Sequence, residues 1–311
     1  MSRSRAMDRT DFELLEGLQT DPRVSYRKLA NKLDLSVNSV HKRIQHMIDL
    51  GIIPAFIATL GPAVESYTVA IAWGKTTKED PERTISELGR DEHTRQIIEA
   101  TNDFLYLQWY LRDISELDDL IAFSKEVGGI EAPQVAFSKV PIPPGSENVK
   151  LSGMDYRIID ALMTDSRRPL KEVSEELGVS QKTVSRRLAK MKRENSIHMT
   201  TRVVPTSTPD IFSFFHVYLE EGTDRRKASS YLREKYDDSI VNVQTVDNLP
   251  YFFLLHFWTQ TMKDLKVIRT SLAKEEIIKY FFVNIFYDIH VFDTWREDLV
   301  RKRAAEAARR G

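Results

Sequence analysis

The amino-acid sequence predicts an α+β fold of four alternating modules, two made of three helices and two of mixed helices and strands. Three observations predict it. Residues 11–53 match residues 155–197 without a gap. Each copy carries apolar residues at the three- and four-residue spacing of helices. Each copy is followed by apolar segments with the composition of strands. Self-similarity at so long an offset indicates duplicated modules rather than a solenoid.

Each copy of the repeat predicts three helices around one small core. The second copy has three apolar stripes, formed by Ile158, Ile159 and Leu162, by Leu170, Val173 and Leu177, and by Val184, Leu188 and Met191. Between the last two helices, Gly178 favours a left-handed helix end and Ser180 can cap the next helix. The first copy has Asp34 and Ser36 there, and aspartate adopts the left-handed conformation less readily than glycine. Alternating segments follow, "IIPAFIATL" and "SIHMTTRVV", which predict a wing strand and so a winged helix-turn-helix.

The segments after each repeat follow the order βαββαβ, which predicts two ferredoxin-like sandwiches. Three strands, "FLYLQWYL", "YFFLLHFW" and "YFFVNIFY", are apolar at consecutive positions, so both faces of each sheet should be covered. Helices cover one face. A second sheet, from the same chain or from another chain, is the natural cover for the other.

These patterns give the expected domain bounds. The winged helix-turn-helix domains lie at residues 8–60 and 151–204, the ferredoxin-like domains at 66–142 and 211–293, a linker at 143–150, and a basic C-terminal helix or tail at 294–311.

Composition excludes several classes of chemistry. The chain has no cysteine, which excludes disulfides, thiolate metal sites and thiol catalysis, and its seven histidines show no metal-ligand spacing. We therefore expect no catalytic residues, no metal site and no cofactor. The start lacks an apolar signal region, and no apolar run reaches the roughly 18 residues that cross a bilayer. The sequence predicts a soluble, cytoplasmic protein without membrane contact.

Charge is segregated in the second copy. The 45 basic and 46 acidic residues of the chain nearly cancel, but residues 178–202 carry seven basic side chains against Glu194 alone. Basic side chains neutralise DNA phosphates, and polar ones at the front of a recognition helix read bases. With the apolar stripe turned inward, the candidate contacts to double-stranded DNA are Gln181, Lys182, Ser185, Arg186, Arg187 and Lys190. Gln181 suits adenine, whereas Lys182 or Arg186 suits guanine.

The first copy offers a weaker set. Residues 34–59 contain two basic and two acidic residues. The candidate contacts there are Asn38, Ser39, His41, Lys42 and Arg43. The sequence therefore predicts two unequal DNA readers, of which the second dominates affinity. Arg187, which matches Arg43, is expected to hold phosphate or to brace its module.

In these features the chain resembles the Lrp/AsnC family of transcription regulators. The resemblance rests on residues 11–53 and 155–197, which follow that family's Asp-x-x-x-Ile/Leu-Leu start, Leu-Ala-x-x-Leu second helix, Ser-x-x-x-Val-x-x-Arg-Ile third helix and Gly-Ile-Ile exit. It implies a sequence-specific DNA-binding regulator whose winged helix-turn-helix and βαββαβ (RAM-like) effector module are duplicated in one chain. The sheets would then form an intramolecular pseudo-dimer or a homo-oligomer.

The resemblance also implies a small-molecule effector, bound near a Thr-Gly-x-x-Asp-like turn that enters the third strand. This chain has "ATNDFLYL" and "TVDNLPYFFLL" at the two equivalent positions, and neither contains the glycine that lets backbone amides approach a ligand. This argues against an amino-acid effector, and the effector site stays unknown.

Two other functions compete with the regulator. Sirohaem decarboxylases share the same fusion of modules, and "NLPYFFLLHF" resembles a stretch of theirs, but their His-x-Tyr-Arg-Arg segment has no match in "HTRQIIEA" or "SIVNVQTV". Alternatively, the chain is a co-regulator whose neutral first helix-turn-helix contacts protein rather than DNA. In that case a footprint would show one half-site per chain instead of two.

Overall fold

The computed structural model describes residues 7–140 and 149–309. The first half contains α1 (Arg9–Thr20), α2 (Tyr26–Lys32), α3 (Val37–Asp49), β1 (Ala55–Leu60), β2 (Thr68–Lys75), α4 (Pro81–Leu88), β3 (Thr94–Ala100), β4 (Phe104–Leu111), α5 (Leu117–Glu126) and β5 (Gln134–Lys139). The second contains α6 (Gly153–Leu162), α7 (Leu170–Leu177), α8 (Gln181–Arg193), β6 (Ile197–Arg202), β7 (Ile211–Leu219), α9 (Arg225–Lys235), β8 (Ile240–Thr245), β9 (Phe252–Thr259), α10 (Met262–Leu272), β10 (Ile278–Val291) and α11 (Trp295–Ala308).

The chain folds into two compact units. The helical unit holds both three-helix modules and α11, and the sheet unit holds both βαββαβ modules. Residues 141–148, which include most of the expected linker, lie outside the described residues.

Matching caps define the two helix-turn-helix modules. The hydroxyl of Ser180 accepts from the backbone N–H of Thr183 at the start of α8, and Ser36 accepts from Ser39 at the start of α3, as the sequence predicts. Gly178 ends α7 with φ +67°, and Asp34 has φ +52° at the same place in the first copy. Asp34 therefore adopts the left-handed backbone conformation, which is less favourable for aspartate than for glycine.

The two wing strands pair with each other. β1 and β6 form a two-stranded antiparallel ribbon, from Ala55 opposite Arg202 to Leu60 opposite Ile197. Each module therefore contributes one strand to a shared ribbon instead of completing a wing of its own. The backbone N–H of Ala58 also donates to the carbonyl of Met163, so β1 contacts α6 as well as β6. The ribbon and its contacts join the modules into one body.

The C-terminal segment is a helix with a buried face. A capping box of Thr294 and Glu297 begins α11, and Val300 packs into the core of the second helix module. Arg296 is only 1% exposed, donates to the backbone carbonyls of Leu60 and Glu65, and stacks on an aromatic ring. α11 is therefore an integral part of the helical unit.

The sheet unit contains two four-stranded sheets of ferredoxin-like order. Its strands run β5-β2-β4-β3 in the first module and β10-β7-β9-β8 in the second, and β3 pairs with β10 across the modules. The long strand β10 pairs with β7 along residues 278–285 and with β3 along residues 286–291.

Both faces of each sheet are covered, as the consecutive apolar positions predict. α4 and α5 pack on the outer face of the first sheet, and α9 and α10 on the outer face of the second. Between the inner faces lies a shared core that includes Ile71, Trp73 and Tyr106 of the first module and Phe214, Phe252 and Leu254 of the second. The second module of the same chain supplies the cover.

Candidate nucleic-acid interface

The recognition helix of the second copy, α8, presents its candidate contacts to solvent. Its inward face is fixed by the buried side chains of Val184, Leu188 and Met191. The residues left exposed are Gln181, Lys182, Ser185, Arg186 and Lys190, whereas Arg187 is half-buried. Among the described residues, no carboxylate lies within ion-pair distance of Lys182 or Arg186. The front of α8 therefore keeps its positive charge.

The recognition helix of the first copy, α3, has the same frame with fewer charges. Val40, Ile44 and Met47 are buried. Asn38, His41 and Lys42 are exposed, Ser39 is partly exposed, and Arg43 is half-buried. The ring of His41 meets Tyr26 of α2 edge-on, with 5.7 Å between centroids. The outward face of α3 is polar and nearly neutral.

Arg43 and Arg187 brace their modules. Arg43 lies 2.8 Å from a carboxylate oxygen of Asp8 and 2.7 Å from one of Asp11, the two residues that form the capping box of α1. Arg187 binds Asp155 at 2.9 Å, at the start of α6. Each arginine ties a recognition helix to the first helix of its module, so its guanidinium is engaged inside the protein.

The carboxylate in the second brace is shifted toward its charged form. Burial opposes ionisation of Asp155, but hydrogen bonds from Ser152 and the ion pair with Arg187 outweigh burial and lower the pKa of Asp155. Asp11 matches Asp155 across the repeat, and Arg43 matches Arg187. The presence of the same aspartate and arginine in both copies was the sequence signal that could have predicted this ion pair.

Sequence reasoning missed the charges on the helix that precedes each recognition helix. α2 carries exposed Arg27, Lys28 and Lys32 and no acidic residue. Its counterpart α7 has Lys171 against three glutamates, and two of those glutamates pair with Arg168. The first copy therefore places its positive charge on α2, and the second copy places it on α8. In helix-turn-helix proteins the earlier helix crosses the DNA backbone, so α2 suits phosphates.

The loops between the first and second helices of the two copies contact each other. The arginines at the matching positions, Arg23 and Arg167, point in different directions. Arg23 is turned inward and donates to the backbone carbonyls of Ser166 and Arg168, at 2.5 to 3.1 Å. Arg167, its counterpart, instead reaches the first copy. Its guanidinium carbon lies 4.8 Å from the ring centroid of Tyr26, and its Nη1 donates to the Tyr26 hydroxyl at 3.1 Å. Arg167 thus adds a positive charge beside α2 and His41.

The basic residues of α11 are largely neutralised. Arg301 pairs with Asp293 and Asp298, and Arg303 pairs with Glu306. α11 therefore presents less free charge than its sequence indicates.

The turn that enters β4 lacks glycine but still adopts left-handed backbone conformations. Asn102 and Asp103 have φ of +63° and +59°. The Asn102 amide donates to Asn284 of β10 at 3.0 Å, Asn284 donates to the Tyr106 hydroxyl at 2.7 Å, and that hydroxyl bonds His216 Nε2 at 2.7 Å. This polar chain joins the two modules, and burial lowers the pKa of His216 to about 3.

The equivalent turn of the second module also joins the sheets. The Asn248 side chain accepts from the backbone N–H of Phe137 and donates to the carbonyl of Val135, both on edge strand β5. The asparagine therefore pairs with the edge as a neighbouring strand would. Both turns are engaged in holding the modules together.

Within residues 7–140 and 149–309, no cluster of three or more histidines and carboxylates has the arrangement of a metal site. In the same residues, no helix combines the length and apolarity needed to cross a membrane.

Comparison with known proteins gives similarities of sequence and of fold. Residues 151–192 match the AsnC-type helix-turn-helix domain, and residues 7–53 match a winged helix-turn-helix DNA-binding family. The chain is 30% identical over 99 residues to the HTH-type transcriptional regulator LysM of Sulfurisphaera tokodaii, covering 32% of this chain and 69% of that protein. It is 27% identical over 127 residues to the HTH-type transcriptional regulator LrpA of Pyrococcus horikoshii, covering 40% of this chain and 89% of that protein.

Among solved structures, the siroheme decarboxylase NirDL is similar over the whole length. The TM-score is 0.59 at 16% identity, over 96% of this chain and 99% of that chain. At this identity the similarity shows a shared fold and nothing about activity.

Proposed function

Because the chain belongs to the Lrp/AsnC family of DNA-binding transcription regulators, we propose that it reads one operator with two unequal helix-turn-helix modules. The observation that carries this proposal is the exposed, unneutralised front of α8 set against the neutral front of α3. Two readers in one compact unit should mark two half-sites separated by about one helical turn of DNA, or a multiple of it.

The second reader supplies base discrimination through the first turns of α8. Gln181 would pair with adenine, and Lys182 or Arg186 with guanine, because these side chains present the donors and acceptors that match those base edges. Ser185 would contact a base or a phosphate, and Lys190, further along the helix, would reach a phosphate. Each bidentate base contact is worth about 1–3 kcal/mol of discrimination against the wrong base.

The first reader contributes mainly phosphate contacts. Arg27, Lys28 and Lys32 of α2 would lie along the DNA backbone, with Arg167 of the second copy beside them. Asn38, Ser39, His41 and Lys42 of α3 would make hydrogen bonds in the groove, and the proposal gives them the smaller share of specificity. Arg43 and Arg187 are assigned to bracing, because their carboxylate partners already engage them.

The experiment is selection of bound duplexes from a random pool by the full chain, followed by footprinting on the enriched sequence. The expected result is one enriched motif with two protected half-sites, of which the α8 half-site shows the stronger base preference. Absence of any enriched motif would overturn the proposal. A single protected half-site would instead favour the co-regulator, in which the first module contacts protein.

We also propose that the chain is not an enzyme, in line with the transcription regulators that it is similar to. His216 offers little to a tetrapyrrole, since its Nε2 is bonded to Tyr106 and its ring is stacked on Phe282 at 4.1 Å between centroids. Titration of the full chain with sirohaem, read by absorbance and by product analysis, should show no decarboxylated product. Release of such a product would reverse this assignment.

An amino-acid effector is not part of the proposal. The two turns where the family resemblance would place it are engaged in module contacts through Asn102 and Asn248. Thermal unfolding with each amino acid in turn should therefore give no shift, and a saturable rise in Tm with any one of them would identify an effector.

A further inference from the structure

Counterpart helices of the two βαββαβ modules carry opposite charges on their outer faces. Asp113 caps the turn that leads into α5, and Thr261 caps α10 at the equivalent place. With these caps aligned, buried Leu120 matches buried Ile268. The inward positions therefore agree across the repeat, and the outward positions can be compared one by one.

Two outward positions invert in charge, whereas Glu116, just before α5, and Asp264 of α10 are both acidic. Exposed Asp118 of α5 corresponds to exposed Lys266 of α10, and exposed Glu126 corresponds to exposed Lys274. Exposed Ser115 corresponds to exposed Lys263. Within the part of the chain that the structure describes, no opposite charge lies within ion-pair distance of Asp118, Glu126, Lys263, Lys266 or Lys274.

Apolar side chains accompany the inverted charges. Ile114, at the start of the α5 face, is 47% exposed, and its counterpart Met262 is 59% exposed. Val267, one helical position after Lys266, is 62% exposed. Large apolar side chains exposed beside a charged rim are typical of a protein contact surface.

We propose that the α5 face of one copy of this chain binds the α10 face of a second copy. Contact between two α5 faces or between two α10 faces would bring like charges together, whereas α5 against α10 joins opposite charges around an apolar centre. Such a contact is heterologous, so repetition produces a ring or an open filament rather than a closed dimer. Nucleic acid fits these observations less well, because its phosphates would leave both the acidic α5 face and the exposed apolar side chains without a role.

The test is sedimentation velocity of the full chain without DNA, from about 1 to about 100 μM. At low salt, the sedimentation coefficient should rise with concentration. The rise should shrink as salt shortens the Debye length from about 30 Å at 0.01 M to about 8 Å at 0.15 M. A single concentration-independent species at low salt would overturn the proposal.

Charge reversal identifies the faces. The variant Lys263→Glu/Lys266→Glu and the variant Asp118→Lys/Glu126→Lys should each lower the self-association constant by about tenfold or more, because each places like charges against an unchanged partner face. Combining both reversals in one chain should restore association. The matched control, Lys75→Glu/Lys78→Glu, reverses two exposed charges elsewhere in the sheet unit and should leave association unchanged.

If a reversed variant does not fold, as judged by circular dichroism, the neutral variant Lys263→Gln/Lys266→Gln replaces it and should still weaken association. If reversal on α10 weakens duplex binding while sedimentation is unchanged, the face binds nucleic acid and the proposal is wrong. Equal loss of association in the Lys75/Lys78 control would likewise contradict it.

Discussion

Neutralising two positions on α8 should flatten the salt dependence of DNA binding more than neutralising the same positions on α3. Arg186 is exposed, and within residues 7–140 and 149–309 no carboxylate lies within ion-pair distance of it. Lys190 is exposed, and a carboxylate oxygen of Glu194 lies 3.9 Å away. The matched positions of α3 are Lys42 and His46, both exposed. The two double variants therefore differ in the charge removed and not in the place it is removed from.

The magnitude follows from counterion release. Each phosphate contact contributes about −0.9 to the slope of log K against log salt. With Lys182 as the guanine reader and both Arg186 and Lys190 on phosphates, Arg186→Gln/Lys190→Gln should reduce the slope by about 1.8. Between 50 and 200 mM salt, wild-type protein should then lose about tenfold more affinity than this variant. Lys42→Gln/His46→Gln removes one full charge and should change the slope by about 0.9 or less.

Fluorescence anisotropy with a labelled operator duplex at four salt concentrations measures both slopes. Thermal unfolding of each variant provides the control, and no change is expected because all four side chains are exposed. Equal changes of slope for the two variants would refute the unequal readers. An unchanged slope for the α8 variant would remove α8 from the DNA interface.

Further predictions concern the turns, the braces and the sheet core. Asp34→Gly should raise the free energy of unfolding of the helical unit by about 0.5–1 kcal/mol and Gly178→Ala should lower it by about 1 kcal/mol, since both positions have positive φ; urea unfolding measures both. Arg187→Gln should cost about 1–2 kcal/mol at pH 7, the part-exposed value of a charged hydrogen bond. This cost should shrink below about pH 4, because the brace needs an ionised aspartate whose folded pKa is lowered. His216 has a folded pKa of about 3 against about 6.5 in an unfolded chain, so its contribution to stability is complete above about pH 6.5 and is lost toward pH 3; His216→Phe should flatten that part of the pH profile in chemical denaturation. Arg167→Gln should reduce the salt slope by about 0.9 and weaken protection at the half-site of the first reader, and a loss confined to the other half-site would contradict its placement.

The sequence was informative wherever the determinants are local. The stripes of Val184, Leu188 and Met191 and the caps Ser36 and Ser180 lie within a few residues of what they organise, and the structure confirms them. The consecutive apolar positions of the inner strands likewise predicted two covered faces, because period and burial are coupled in a strand.

The sequence patterns did not show which residues far apart in the chain contact each other. The alternation in β1 and β6 specified strands but not that they pair with each other, since either would satisfy its backbone in another hairpin. The positive charge of α2 was not predicted, because Arg27, Lys28 and Lys32 come before the turn, whereas base contacts are expected on the helix after it. Arg43 was predicted as a DNA contact because of its position on the recognition helix α3. Its carboxylate partners, Asp8 and Asp11, lie more than 30 residues earlier, at the start of α1.

Duplication within one chain explains why the two copies can differ so much. In a homodimer every substitution appears in both halves, so a charge placed on one recognition helix is placed on both. In this chain the halves vary independently: Arg23 is turned inward while Arg167 reaches across, and α5 is acidic where α10 is basic. The positions that hold the fold, such as the Asp11–Arg43 and Asp155–Arg187 pairs, stay the same in both copies. The charge differences between α3 and α8 and between α5 and α10 lie at exposed positions, which is where an asymmetric operator or a heterologous contact would require them.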